Sequence, residues 1–184
     1  MTFDELSLDP RILAAVKAAG YTTPTPIQEQ GIPAVLGGRD ITGIAQTGTG
    51  KTAAFVLPMI HKLGQGRAKA RMPRSLILEP TRELAIQVAK AFTVYGRHVQ
   101  GLRVATVVGG VPYGAQLSAL RGPLDVLIAT PGRLMDHMAS GKAILSNVEM
   151  LVLDEADRML DMGFIDDIKH IASFLPEQRQ TVMF

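Results

Sequence analysis

The chain has 184 residues, enough for one sizeable domain with its own core and short for two. Apolar residues make up 47% and charged residues 20%, which excludes general disorder, and a net charge of +2 permits a polyanionic partner without demanding one. Cysteine is absent, which excludes disulfide staples and thiolate metal sites and fits a reducing compartment.

The opening "MTFDELSLDP" carries acids early and lacks a basic start followed by an apolar run, so it is not read as a secretory signal. No uninterrupted apolar stretch reaches the ~18 residues of a membrane span, and a soluble, cytoplasmic protein without membrane contact is the expectation. Asp9-Pro10 opens a helix that closes at Gly20, and Thr25-Pro26 opens a second over 26–36, by the N-cap and first-turn proline preferences. "DITGIA" (40–45) predicts the first strand, followed by a glycine loop and by "KTAAFVLPMIHKL", which has helical spacing. "GQGRAKARMPR" (64–74) crowds Arg67, Lys69, Arg71 and Arg74 into a loop, read as solvated rather than as a nucleic-acid patch. "SLILE" (75–79) predicts the next strand, and "TRELAIQVAKAFTVYG" (81–96) a helix with Leu84, Val88 and Ala91 on one face.

"VATVV" (104–108), "DVLIA" (125–129), "EMLVLD" (149–154) and "TVMF" (181–184) read as further strands. A Thr-Pro-Gly turn opens a helix after strand 125–129, and acids at the end of strand 149–154 start another through "ADRMLDMGF". Several strands are apolar at consecutive positions, as expected when both sheet faces are covered. The alternation predicts an α/β domain with a mostly parallel central sheet and helices on both faces. His61, His98, His137 and His170 lack metal-ligand spacing, and Met159 and Met162 read as core or loop packing.

Two stretches carry chemistry. "IAQTGTGKTAAF" (44–55) places a glycine loop between a strand and a helix, the context of a P-loop, although Ala45 stands where the common pattern has glycine. Gly48 and Gly50 let backbone N–H groups turn inward around an anion at the helix N-terminus. Lys51 supplies a mobile cation for the β- and γ-phosphates, and the Thr52 hydroxyl can ligate Mg²⁺. "MLVLDEAD" (150–157) is an apolar strand ending in acids, as in a Walker B element: Asp154 would hold Mg²⁺ through water, and Glu155 could polarise the attacking water. Asp154 can serve as a helix cap at the same time. Together the two elements read as a nucleotide site.

The run Asp154-Glu155-Ala156-Asp157 makes the chain resemble the DEAD-box RNA helicases over essentially all 184 residues, with motifs in that family's order. "GYTTPTPIQ" (20–28), with Phe3 upstream, resembles the Q motif; "AQTGTGKT" resembles motif I, in which Ala45 is the family's own residue. "PTRELAIQ" (80–87) resembles motif Ia, Gly109-Gly110 the glycine doublet and "TPGR" (130–133) motif Ib, and the texture looks closest to bacterial RhlE-like members. The resemblance implies an N-terminal RecA-like P-loop domain over 1–184, with the Q motif inside 1–28, that binds ATP and Mg²⁺. Gln28, from the residues alone an ordinary polar helix residue, would read the adenine edge, with Phe3 against the base. Tyr21, Ala45, Gln46, Thr47, Gly48, Thr49 and Gly50 would complete the nucleotide contacts beside Lys51, Thr52 and Asp154. Thr81, Arg82, Gly110, Thr130 and Arg133 would touch the sugar-phosphate backbone of one RNA strand, where the residues alone read Thr130 as a helix cap and Arg133 as solvated.

The second RecA-like domain, with its arginine fingers, is expected to be missing from this sequence. The implied origin is an RNA-dependent ATPase and helicase, and the isolated chain is expected to be a monomer close to inactive. The alternative is a module that holds nucleotide or RNA without turnover. A P-loop metabolic kinase is disfavoured, because it leaves motifs Ia and Ib unexplained.

Overall fold

The computed structural model of the chain describes residues 1–43, 50–65 and 72–184. Six strands form one sheet in the order β1-β6-β5-β2-β4-β3, every pair parallel. They are β1 Ile41–Thr42, β2 Ser75–Leu78, β3 Val104–Val107, β4 Val126–Ala129, β5 Met150–Leu153 and β6 Gln180–Met183. Each falls on a predicted run. β2, β4 and β5 are buried at every position, the reason their sequences are apolar without alternation.

Their side chains still alternate, between two cores. Ile77, Val126, Ile128 and Val152 face one cluster, built with helices α1 Pro10–Ala18, α2 Pro26–Leu36, α3 Lys51–Gln65 and α4 Arg82–Tyr95 through Ile12, Val35, Phe55 and Val88. Leu76, Leu127 and Leu151 face the other, built with α6 Pro131–Ala139, α7 Ala156–Asp161 and α8 Ile165–Ala172 through Leu134, Met159 and Ile171. Strand period two thus feeds two apolar layers, and both faces of the sheet are covered.

The caps behave as their residues dictate. The Asp9 carboxylate accepts from the Arg11 backbone N–H at 2.8 Å, and the Thr81 hydroxyl from Leu84 N–H at 3.2 Å. Leu84, Val88 and Ala91 share the face of α4 that lines a cavity, and Ala85, Val88 and Phe92 form its buried stripe. Two details differ from expectation. The predicted helix 156–164 stops at Asp161 and restarts at Ile165, turning at Met162-Gly163. Helix α5, Tyr113–Arg121, has no counterpart in the sequence reading, because its apolar content is too low for a helical stripe. Arg67, Lys69 and Arg71 of the basic loop lie outside the described residues; Arg74 donates from Nε to Glu149 at 2.8 Å.

Candidate functional site

Parallel strands deliver their C-terminal ends, and the loops that follow, to one edge of the sheet. The predicted site residues divide there into two groups. Residues after β1 and β5 make a phosphate-type site, and residues after β2, β3 and β4 make an open surface beside it.

In the first group Lys51 opens α3 and is buried, with Nζ 2.9 Å from Asp154 Oδ1 and 2.8 Å from Glu155 Oε1. Burial pulls the Lys51 pKa down, but pairing with Glu155 and Asp154 outweighs it and holds the ammonium above the ordinary lysine value. Asp154 ends β5 nearly without exposure, and Glu155 follows in a left-handed backbone conformation, φ 55° and ψ 48°, rare for a residue with a side chain. A cavity of about 620 Å³ opens onto Lys51, Thr52, Asp154 and Glu155, and reaches Tyr21 and Gln28. That is the size of a small-molecule pocket. Ala45, Gln46, Thr47, Gly48 and Thr49 lie outside the described residues. Phe3 lies in a short 3-10 turn, Phe3–Leu6, buried in the core rather than in the cavity wall.

Gln28 is buried with both ends of its amide engaged. Its Oε1 accepts from Thr25 N–H at 3.0 Å, and its Nε2 donates to the Gly50 carbonyl at 3.0 Å. Gly50 has φ +83°, and a Cβ there would collide with Gln28 Nε2, so this close approach requires glycine. Helix α2 is therefore tied to the residue that precedes Lys51.

Sequence reasoning missed Glu79. β2 and β5 pair with Leu78 opposite Leu153, so Glu79 and Asp154 emerge side by side, both buried. Among the described residues neither Glu79 oxygen has a hydrogen-bond partner, and the neighbouring acid across the strand pair is Asp154. Burial, then the Asp154 charge, pushes the Glu79 pKa far above the usual carboxylate range. An acid closing an otherwise apolar strand was the available signal. A group held neutral when folded and ionised when unfolded stabilises fully below its unfolded pKa. That contribution is lost as pH rises above about 4.5 and on through neutrality. Glu79→Gln is thus expected to match the parent near pH 4.5 and to melt higher at pH 8, by roughly 2–6 °C. Thermal melts at the two pH values decide it, and a lower melting point at pH 8 would refute the assignment.

In the second group, the predicted Thr81 hydroxyl is committed to its own helix as cap. Arg82 is exposed, and its Nη1 lies 3.1 Å from where a Cβ of Gly110 would stand; Gly110, φ +79°, keeps that approach open. Thr130 is the half-buried N-cap residue of α6, without a side-chain cap bond. Arg133 is not simply solvated: its Nη1 donates to the Val111 carbonyl at 2.8 Å and to Gln116 Oε1 at 3.2 Å, tying α6 to the glycine-doublet loop. Arg82, Gly110, Thr130 and Arg133 thus cluster around the ends of β2, β3 and β4, where the exposed Arg82 and the starts of α4 and α6 suit phosphates.

Among the described residues no group of three or more His, Asp or Glu side chains forms a metal cage, and no helix is long and apolar enough to cross a membrane.

Comparison with known proteins gives the family. The family model described as DEAD/DEAH box helicase matches residues 25–184. ATP-dependent RNA helicase DeaD of Mycobacterium tuberculosis is 48% identical over 183 residues, covering all of this chain and 32% of that protein. The Escherichia coli protein of the same name is 48% identical, with 100% and 29% covered. These relatives bear the name DeaD rather than RhlE. A crystal structure of a DEAD box protein from the hyperthermophile Methanococcus jannaschii superposes with a TM-score of 0.92 at 37% identity, covering all of this chain and 49% of that one. The chain therefore spans about a third of the length of the curated relatives it matches.

Proposed function

The chain belongs to the DEAD/DEAH box helicase family, and from that premise we propose that it is the N-terminal RecA-like, ATP-binding domain of a cytoplasmic ATP-dependent RNA helicase. The observation that carries this reading is Lys51 held between Asp154 and Glu155 at the floor of the cavity, with the exposed Arg82–Gly110 pair on the neighbouring strand ends.

Lys51 would exchange its carboxylates for the phosphates of ATP. Thr52, lining the cavity, and Asp154, with a buried Oδ1 that has no hydrogen-bond donor beyond the Lys51 ion pair, fit a hard cation with oxygen ligands. Mg²⁺ takes one or two protein oxygens and the substrate phosphates rather than a full protein cage. Thr52 and Asp154 would hold it, and when bound it would supply charge neutralisation at the phosphates. Glu155, its carboxylate released by Lys51, would orient and deprotonate the attacking water. Tyr21 and Gln28 would border the base. Arg82, Thr130 and Arg133, with Thr81 and Gly110, would contact one RNA strand through its backbone, so affinity would depend on salt and not on sequence. A second RecA-like domain would complete both sites, and this domain alone would be a monomer.

The Gln28 amide can donate and accept on one base edge, provided it gives up the Thr25 and Gly50 bonds. Gln28→Ala is expected to weaken ATP more than GTP, by about tenfold, the worth of one or two hydrogen bonds. Titration of both nucleotides checks it. Equal loss for both would remove Gln28 from the base site and leave it a tether of the phosphate loop.

A reading as a nucleotide- and RNA-binding module without turnover describes how the 184-residue chain would behave by itself, and it shares every residue named above.

A further inference from the structure

We propose that Gln116 is the positioning residue of the nucleic-acid surface, its side-chain amide locking the glycine-doublet loop to the start of α6 in the arrangement that receives a phosphate backbone. The inference rests on the nucleic-acid reading given above.

Gln116 lies one turn into α5, and it is the only buried side chain described in that helix, at 3% exposure. A helix that buries an amide rather than a leucine is anchored by hydrogen bonds, not by area. Nε2 donates to the Val108 carbonyl at 2.7 Å, at the end of β3. Oε1 accepts from Arg133 Nη1 at 3.2 Å and stands 3.0 Å from Nε2 of His137, a residue with no exposure. The orientation of the amide is determined by its neighbours. A carbonyl at Val108 needs the NH₂ end and a guanidinium at Arg133 needs the oxygen, so His137 meets that oxygen with Nε2–H. A leucine of similar volume bonds none of the three groups, and the Val108 carbonyl would lose its side-chain donor.

The segments joined are those that carry the candidate phosphate contacts. Val108 and Val111 bracket Gly109-Gly110, and the Arg133 bond to the Val111 carbonyl closes the loop from its other end. Gly110 in turn lies against Arg82 at the start of α4. One amide thereby sets the spacing between α6 and the doublet, and through the doublet the place of Arg82. Gln116 itself is buried and touches no ligand. It acts by preorganisation, so its loss would be felt in RNA affinity and not in nucleotide affinity, whose Lys51, Thr52, Asp154 and Glu155 follow β1 and β5 and take part in none of these hydrogen bonds.

The test uses Gln116→Leu, Gln116→Glu and Arg82→Ala in the 184-residue chain. A fluorescein-labelled oligouridylate is titrated at low salt by anisotropy, and ADP by calorimetry. Gln116→Leu is expected to weaken the oligouridylate about five- to twentyfold with ADP affinity unchanged. Gln116→Glu, which keeps the acceptor for Arg133 and loses the donor for Val108, should fall between Gln116→Leu and the parent. On an Arg133→Ala background the effect of Gln116→Leu should shrink to less than about twofold, because the two act as one unit. If Arg82→Ala weakens the oligouridylate and Gln116→Leu does not, the inference is overturned while the nucleic-acid reading stands. If the parent shows no salt-dependent binding, or no substitution affects it, that reading and the inference fall together. If Gln116→Leu loses the native circular dichroism spectrum, Gln116→Glu decides by the same criterion. Parallel loss of oligouridylate and ADP would make Gln116 a residue of general stability and overturn the proposal.

Discussion

Lys51→Ala is expected to abolish measurable ADP and ATP binding in calorimetry and, in the same protein, to lower the melting temperature at pH 7.5. Charge-assisted contacts to phosphate are the strong ones, about 1.5–3 kcal/mol each, so loss of a cation that makes two of them weakens binding roughly a hundredfold or more. The sequence by itself predicts that the fold tolerates this change. The structure predicts a cost. Lys51 is the cation among the described residues that pairs with Asp154 and Glu155, and its removal leaves those carboxylates and Glu79 against one another in a largely dry site. Breaking a buried pair from one side costs about 3–5 kcal/mol, and partial exposure of Glu155 brings the expectation to roughly 2–3 kcal/mol, or about 5–10 °C. The deficit should shrink as pH is lowered through the carboxylate range, where protonation relieves the repulsion. Adding Glu79→Gln to Lys51→Ala should recover part of it. Unchanged ADP affinity would sink the phosphate-site assignment. An unchanged melting point would show that the ion pairs contribute nothing to stability.

The second large effect is on turnover. The 184-residue chain is expected to bind ADP or ATP yet hydrolyse ATP slowly, even with saturating single-stranded RNA. Compared with a longer polypeptide carrying a second RecA-like domain, its steady-state phosphate release should be lower by about 10³–10⁵, the worth of arginine fingers in related NTPases. In-line attack on the γ-phosphate requires charge stabilisation on the side facing away from the phosphate loop. Among the described residues Lys51 would act on the loop side, and Glu155 would orient the water. RNA contact should likewise be weak and fade with salt, since Arg82, Thr130 and Arg133 would line only one side of a backbone track. RNA-stimulated turnover by the short chain within about tenfold of the longer one would defeat this reading.

Much of this protein was determined by local signals. β2, β4 and β5 are continuous apolar runs because both of their faces are covered, and the chain marks them for that reason alone. Asp9 and Thr81 announce their helices because a side-chain oxygen next to a helix start answers a need created within three residues of it. Gly50-Lys51-Thr52 and Asp154-Glu155 announce a phosphate site because the residue types are themselves the chemistry. Strand order was decided only by the tertiary structure. Placing β5 beside β2 puts Glu79 against Asp154, and placing β6 between β1 and β5 brings Lys51 across to both acids. The hidden ties were decided there too: Gln28 on Gly50, Arg133 on Val111, and Gln116 between Val108 and Arg133. Each is a contact between segments far apart in the chain, and its energy depends on burial and on a partner's exact orientation. Periodicity and capping report what a residue needs from its neighbours a few positions away; which distant group will stand within 3 Å of a buried amide or carboxyl is set by sheet register and helix packing, and no local pattern carries it.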